Sequence, residues 1–202
     1  MAIELTVDGH NVFCTTGGQP FDPTKRAVIL VHGAGMDHSY WSLQSRWFAW
    51  HDWSVLVPDL PGHRGSAGDP LPTIEAMAAW LGRLMDAVGL QTATLVGHSM
   101  GAIIVLQAAA DMPERVNHVG LLGVADAIPV HPDLLAAARQ NDPLAYDLVT
   151  SWGMAGGHTL VGIRIRVSGC WGPGGNCWPA TGRASSSTIS TPVMNGRAAR
   201  RR

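Results

Sequence analysis

Gly97-His98-Ser99-Met100-Gly101 lies between an apolar strand-like run, Ala93-Thr94-Leu95-Val96, and a helix-like run, Ala102-Ile103-Ile104-Val105-Leu106. A Gly-x-Ser-x-Gly string alone is a weak signal, because glycine and serine are common and most matches fall in loops. Here the flanks put the serine on a tight strand-to-helix turn. Such a turn strains the serine backbone, so the residues two before and two after it have to be small. Peptide N–H groups gather at the start of the following helix, where partial positive charge accumulates. The bland alternative is a surface serine capping that helix.

Working outward, Ala27-Val28-Ile29-Leu30-Val31 reads as a buried parallel strand running directly into His32-Gly33-Ala34-Gly35. Ser54-Val55-Leu56-Val57 reads the same way and leads into Pro58-Asp59-Leu60-Pro61-Gly62-His63-Arg64-Gly65-Ser66. A hairpin is expected at the front, Ile3 to Val7 and Val12 to Thr16, turning near Asp8-Gly9. A sixth strand is expected at about 117–124. Between the strands, Trp41 to Trp50 forms a tryptophan-rich helix. Thr73 to Val88 places Ile74, Met77, Trp80, Leu81 and Leu84 at helical spacing. Strands alternating with helices predict an α/β fold, a mostly parallel sheet with helices on both faces.

In that order and spacing the three motifs resemble the α/β-fold hydrolase superfamily, in its branch of small esterase-like and pimeloyl-ester-hydrolase-like enzymes. The resemblance covers residues 1 to 152. It implies a serine hydrolase acting on carboxylic esters or thioesters through an acyl-serine intermediate. Ser99 would be the nucleophile, and the backbone N–H groups of Ala34 and Met100 the oxyanion donors. Gly33, Gly35, Met36 and His98 would flank the substrate. His32, Asp59 and His63 match positions that shape loops in the family. The Arg64-Gly65-Ser66 stretch departs slightly from the commoner Gly-His-Gly-x-Ser version. No metal or cofactor is implied, and a small-molecule ester is the expected partner.

The family's chain order is serine, then acid, then histidine. Asp126 lies just past the sixth strand, where some relatives place their acid. His158, in Gly156-Gly157-His158, superficially resembles the Gly-His pair that carries the family's base, although it comes early. No later core strands are recognisable. The expectation is therefore a fold lacking its last core strands, truncated or frameshifted after about residue 152. The alternative to an active enzyme is a catalytically impaired fragment that binds apolar ligands.

Composition divides the chain at the same place. Residues 1 to 152 hold all 15 acids against 7 basic residues, while 153 to 202 hold 7 arginines and no acid. Expected units are a core over 1–126, the start of a helical cap over 127–152, and an irregular arginine-rich tail over 153–202. Arginine without lysine, with glycine, proline and tryptophan beside cysteine, is also what GC-rich DNA gives in a wrong reading frame. The tail carries no stacking or groove-reading pattern, so no nucleic-acid partner is expected. No uncharged apolar stretch of membrane-spanning length appears, so no membrane partner is expected. Met1-Ala2-Ile3-Glu4-Leu5 lacks the basic-then-apolar plan of a signal peptide, which makes the cytoplasm the expected location. Three cysteines, Cys14, Cys170 and Cys177, show no metal-like spacing. Self-association through an exposed sheet edge is expected if the last strands are missing.

Overall fold

The computed structural model describes residues 1 to 125 and 129 to 153. Strand β1 (Ala2–Val7) and strand β2 (His10–Thr15) form an antiparallel hairpin in which Val7 faces His10. Asp8 and Gly9 make the two-residue turn with φ of +53° and +79°. Positive φ at both central residues matches the twist of a hairpin, and Asp-Gly is a sequence that adopts it readily.

Four further strands run parallel: β3 (Ala27–Val31), β4 (Ser54–Pro58), β5 (Ala93–His98) and β6 (Val116–Leu122). The sheet order is β1-β2-β4-β3-β5-β6, and β2 meets β4 antiparallel through Cys14 and Thr15. Every residue of β3 and β4 is buried, as their continuous apolar runs require for strands covered on both faces. Side-chain parity divides them between two cores. Ile29, Val31 and Leu56 join one cluster, while Val28, Leu30, Val55 and Val57 join the other.

Helices α2 (Ile74–Ala87) and α3 (Met100–Asp111) fill the first cluster with Met77, Trp80, Leu81, Leu84, Ile104 and Val105. Thr73 caps α2 by accepting the N–H of Ala76 at 3.1 Å, a bond that contributes about 1 kcal/mol. Helix α1 (Ser42–Ala49) covers the opposite face with Ala49 and the preceding Trp41. A three-layer sandwich results, with the carboxyl ends of β3, β4 and β5 converging on one rim. That rim is where an open parallel sheet presents its binding crevice.

Strand β6 ends at Leu122, two residues short of the expected 124, because Gly123 turns the chain with φ of +60°. It forms the outer strand, with Val119, Leu121 and Leu122 exposed. Among the described residues no strand follows it. Helices α4 (Pro132–Arg139) and α5 (Leu144–Gly153) pack on each other around Leu134, Ala137, Ala138 and Ala145.

Candidate active site

Strand β5 delivers His98 to the rim, and Ser99 turns the chain into α3. Ser99 has φ of +54° and ψ of −118°, outside the regions an L-residue prefers. Such a conformation costs on the order of 1–3 kcal/mol and persists only where its surroundings enforce it. The enforcement is visible on both sides. A Cβ at Gly97 would run into the backbone of Gly101 and Ala102, and one at Gly101 into the carbonyls of Val31 and His32. The Ser99 N–H donates to Leu122 O at 2.9 Å, fastening the elbow to the end of β6.

Ser99 sits at the N-cap position of α3, yet its side chain makes no capping bond. That disposes of the bland reading of this serine as an ordinary cap. The N–H groups of Ala34 and Met100 likewise have no protein acceptor among the described residues. A half-buried serine hydroxyl and two free peptide donors thus occur on adjoining loops of one rim.

Aromatic and sulfur side chains surround this point. His98 stacks on Tyr40, with ring centroids 4.5 Å apart and 29° between planes. Its Nδ1 is buried without a hydrogen-bond partner among the described residues, and burial lowers its pKa. Gly33 passes so close that a Cβ there would lie 3.3 Å from His98 Nδ1 and from Met36 Sδ. Gly35 is exposed on the same loop, with φ of +69°. Tyr40 was not picked out by sequence reasoning. Its only signal was its place in an aromatic-rich stretch.

The loops are held by a buried polar scaffold. His32 Nδ1 donates to Gly33 O at 2.9 Å, and its Nε2 accepts the Leu60 N–H at 3.1 Å. Both ring nitrogens are spent and the tautomer is fixed, so His32 is a clasp between two loops. Burial, with His63 beside it, pushes its pKa down to about 4. His63 lies 5.0 Å away, ring centroid to ring centroid, and burial lowers its pKa too. Asp59 is fully buried and accepts the N–H of His38 at 2.8 Å and of Gly65 at 3.1 Å. His38 Nδ1 is 2.9 Å from the same carboxylate. Ser66 completes the knot, donating to Asp59 O at 2.7 Å and accepting the Phe13 N–H at 3.0 Å.

Asp37, His38 and Asp59 bring three ligand-type atoms within 4.8 Å of one another. These donors already have partners. Arg64 bonds Asp37 at 2.8 Å, Ser39 N–H bonds it at 2.7 Å, and His38 bonds Asp59. The set is organised as an ion-pair and hydrogen-bond cluster that locks the loop.

Asp126 and His158 lie outside the described residues. Of the other histidines after Ser99, His118 is exposed on β6 and His131 caps α4. The Ser99 hydroxyl has no hydrogen-bonded base among the described residues. Two surface clefts, of about 350 and 320 Å³, lie elsewhere and are not lined by Ser99.

Residues 26–152 match the family described as alpha/beta hydrolase fold. The chain is 38% identical over 106 residues to the dihydrolipoyllysine-residue acetyltransferase component of the acetoin cleaving system of Cupriavidus necator. That alignment covers 50% of the chain and 28% of the relative. It is 35% identical over 102 residues to 2-hydroxy-6-oxo-6-phenylhexa-2,4-dienoate hydrolase of Burkholderia cepacia, covering 48% of the chain and 36% of the relative. The chain therefore spans about a third of the length of these curated relatives. In fold it is similar to Epoxide Hydrolase A from Mycobacterium thermoresistibile. The TM-score is 0.57 and the identity 24%, over 68% of this chain and 44% of that one. The match of more than half the sequence, over the same sheet, elbow and loops, shows that the chain belongs to the alpha/beta hydrolase family.

Proposed function

We propose that the chain is a serine hydrolase that attacks carboxylic ester or thioester bonds through Ser99. The observation that carries this is the strained Ser99 backbone between two sterically obligatory glycines, with its hydroxyl left unspent. Strain of this kind has a use if the hydroxyl must stand clear of the helix and meet an incoming carbonyl. The oxygen would bond the carbonyl carbon while its proton passes to a base, and the oxyanion would take hydrogen bonds from Ala34 and Met100. Losing one such donor costs about 3 kcal/mol of transition-state stabilisation. A serine here speaks against the carboxylate nucleophile that would open an epoxide.

A second reading rests on a separate observation: no described histidine or acid bonds Ser99. On that reading the chain is an impaired hydrolase whose rim binds apolar ligands without turnover. A fluorophosphonate probe separates the two, because phosphonylation needs an activated serine. Labelling that disappears in Ser99→Ala supports the enzyme, and a folded chain that never labels supports the impaired form. Asp126→Asn and His158→Gln test the remaining roles: each should slow labelling at least about a hundredfold if it belongs to a working triad.

A further inference from the structure

Helix α1 is short and packs by one face only. Trp41, Ser45 and Ala49 are buried against the sheet, and Phe48 is partly covered. The opposite face would be polar on an ordinary surface helix. Here Leu43, Trp47 and Trp50 recur at i, i+4 and i+7, and are 79%, 55% and 62% exposed. Projected at 100° per residue they fall within a sector diametrically opposite the packed face. The result is an exposed apolar ridge in which Trp47 stacks on His51, ring centroids 4.1 Å apart, and Trp50 walls a surface cleft beside Trp53. Three large apolar side chains exposed on one short helix differ from the singly scattered apolar residues of an ordinary surface.

Charges of both signs border the ridge. Arg64, Arg83 and Arg115 each bond a carboxylate at 2.8 Å, to Asp37, Asp8 and Asp86. Lys25, Arg26 and Arg46 bond none among the described residues. All three are exposed and lie about the ridge. Arg46 is on α1 itself. The Arg26 guanidinium lies 4.6 Å over the Trp53 ring and donates to His51 O at 3.0 Å. Lys25 shares the cleft of about 350 Å³ walled by Trp50 and Trp53. Two carboxylates, Asp22 and Asp52, also line that cleft. Asp22 is occupied by the N–H and hydroxyl of Thr24, at 2.9 and 2.7 Å. Lys25 faces Asp22 across that cleft, which leaves Arg26 and Arg46 as the cations beside the tryptophans with no carboxylate partner among the described residues.

We propose that the Leu43–Trp47–Trp50 ridge is a peripheral docking surface for an anionic lipid bilayer. Tryptophan offers an apolar ring with one polar N–H and settles at the headgroup level of a bilayer. Leucine at the crest enters the acyl boundary, while Arg46, Lys25 and Arg26 meet anionic headgroups. The contact is interfacial, since no described helix is long and apolar enough to cross a membrane. A second copy of the chain fits the ridge less well. A two-fold pairing would bring the same convex crest and the same cationic rim against themselves.

Flotation of the full chain with phosphatidylcholine vesicles, with and without phosphatidylserine, tests this. The chain should rise with the anionic vesicles, and added salt should weaken the association. Trp47→Ala with Trp50→Ala should reduce the bound fraction about tenfold, and Leu43→Gln severalfold, with circular dichroism unchanged. Lys25→Gln with Arg46→Gln should lower binding about tenfold on anionic vesicles and weaken its salt dependence, with Arg26 remaining. A chain that rises with neither vesicle, or equally with both, overturns the proposal. So does flotation indifferent to both the tryptophan and the leucine changes. A dimer in sedimentation velocity that those changes dissolve would mark the ridge as a protein interface and overturn it as well.

Discussion

The phenol ring of Tyr40 lies against the imidazole of His98, 4.5 Å between centroids, on the residue immediately before Ser99. The pair joins the turn that follows β3 to the elbow at the end of β5. Stacked rings of this kind contribute roughly 0.5–1.5 kcal/mol beyond their buried area. Tyr40→Ala should therefore lower unfolding free energy by about 1 kcal/mol, and Tyr40→Phe should leave it unchanged. Urea denaturation of the three proteins measures this, and equal midpoints would show the stack to be energetically idle.

Gly97 and Gly89 separate space from conformation. A methyl at Gly97 would strike the backbone of Gly101, which cannot move without dismantling the elbow. Gly97→Ala should cost on the order of 4 kcal/mol. Gly89 has φ of +73° with nothing within 4 Å of a Cβ. Gly89→Ala should cost only about 1 kcal/mol, the left-handed penalty alone. Similar losses at the two positions would contradict the steric account.

Relief of strain at Ser99 is measurable. Glycine tolerates φ of +54° far better than alanine does. Ser99→Gly should be more stable than Ser99→Ala by about 1 kcal/mol, while both abolish fluorophosphonate labelling. Thermal unfolding ranks the pair, and the reverse order would mean the serine conformation carries no strain.

Stability should fall on mild acidification. His32 has an ordinary pKa of 6.5 when exposed and about 4 when folded. Between those values the unfolded chain binds a proton that the folded chain refuses, so unfolding gains as pH drops. His63 acts in the same direction. The contribution is fully present above pH 6.5 and lost progressively down to about 4, a change on the order of 3 kcal/mol for His32. Urea midpoints across this window check it, and a flat profile would place a charge on His32 in the folded state.

Much of this molecule was legible from its chain. The apolar runs at Ala27–Val31 and at 55–57 read as doubly covered strands because only burial on both faces allows them. The elbow was legible because so tight a turn admits only small residues on either side of the serine, and Gly97 and Gly101 supply them. Contacts between loops were not. No periodicity announces that His38 reaches Asp59, or that Tyr40 lies on His98, since both depend on how two crossovers end at one rim. The sixth strand was expected at about 117–124 beside an exposed sheet edge, and Val119, Leu121 and Leu122 do lie open on the outermost strand described. The outward tryptophans of α1 were hidden, since a tryptophan-rich helix reads as core until its packed face is known.

The bond from Ser99 N–H to Leu122 O makes the outermost described strand the keystone of the Ser99 elbow. Edge strands are where sheets fray first, having neighbours on one side only. If β6 lifts by a single residue at its carboxyl end, the elbow loses its tether while the buried centre of the sheet stays intact. The elbow geometry at Ser99 would then be lost well before the fold is, and whatever braces β6 sets how long that geometry lasts.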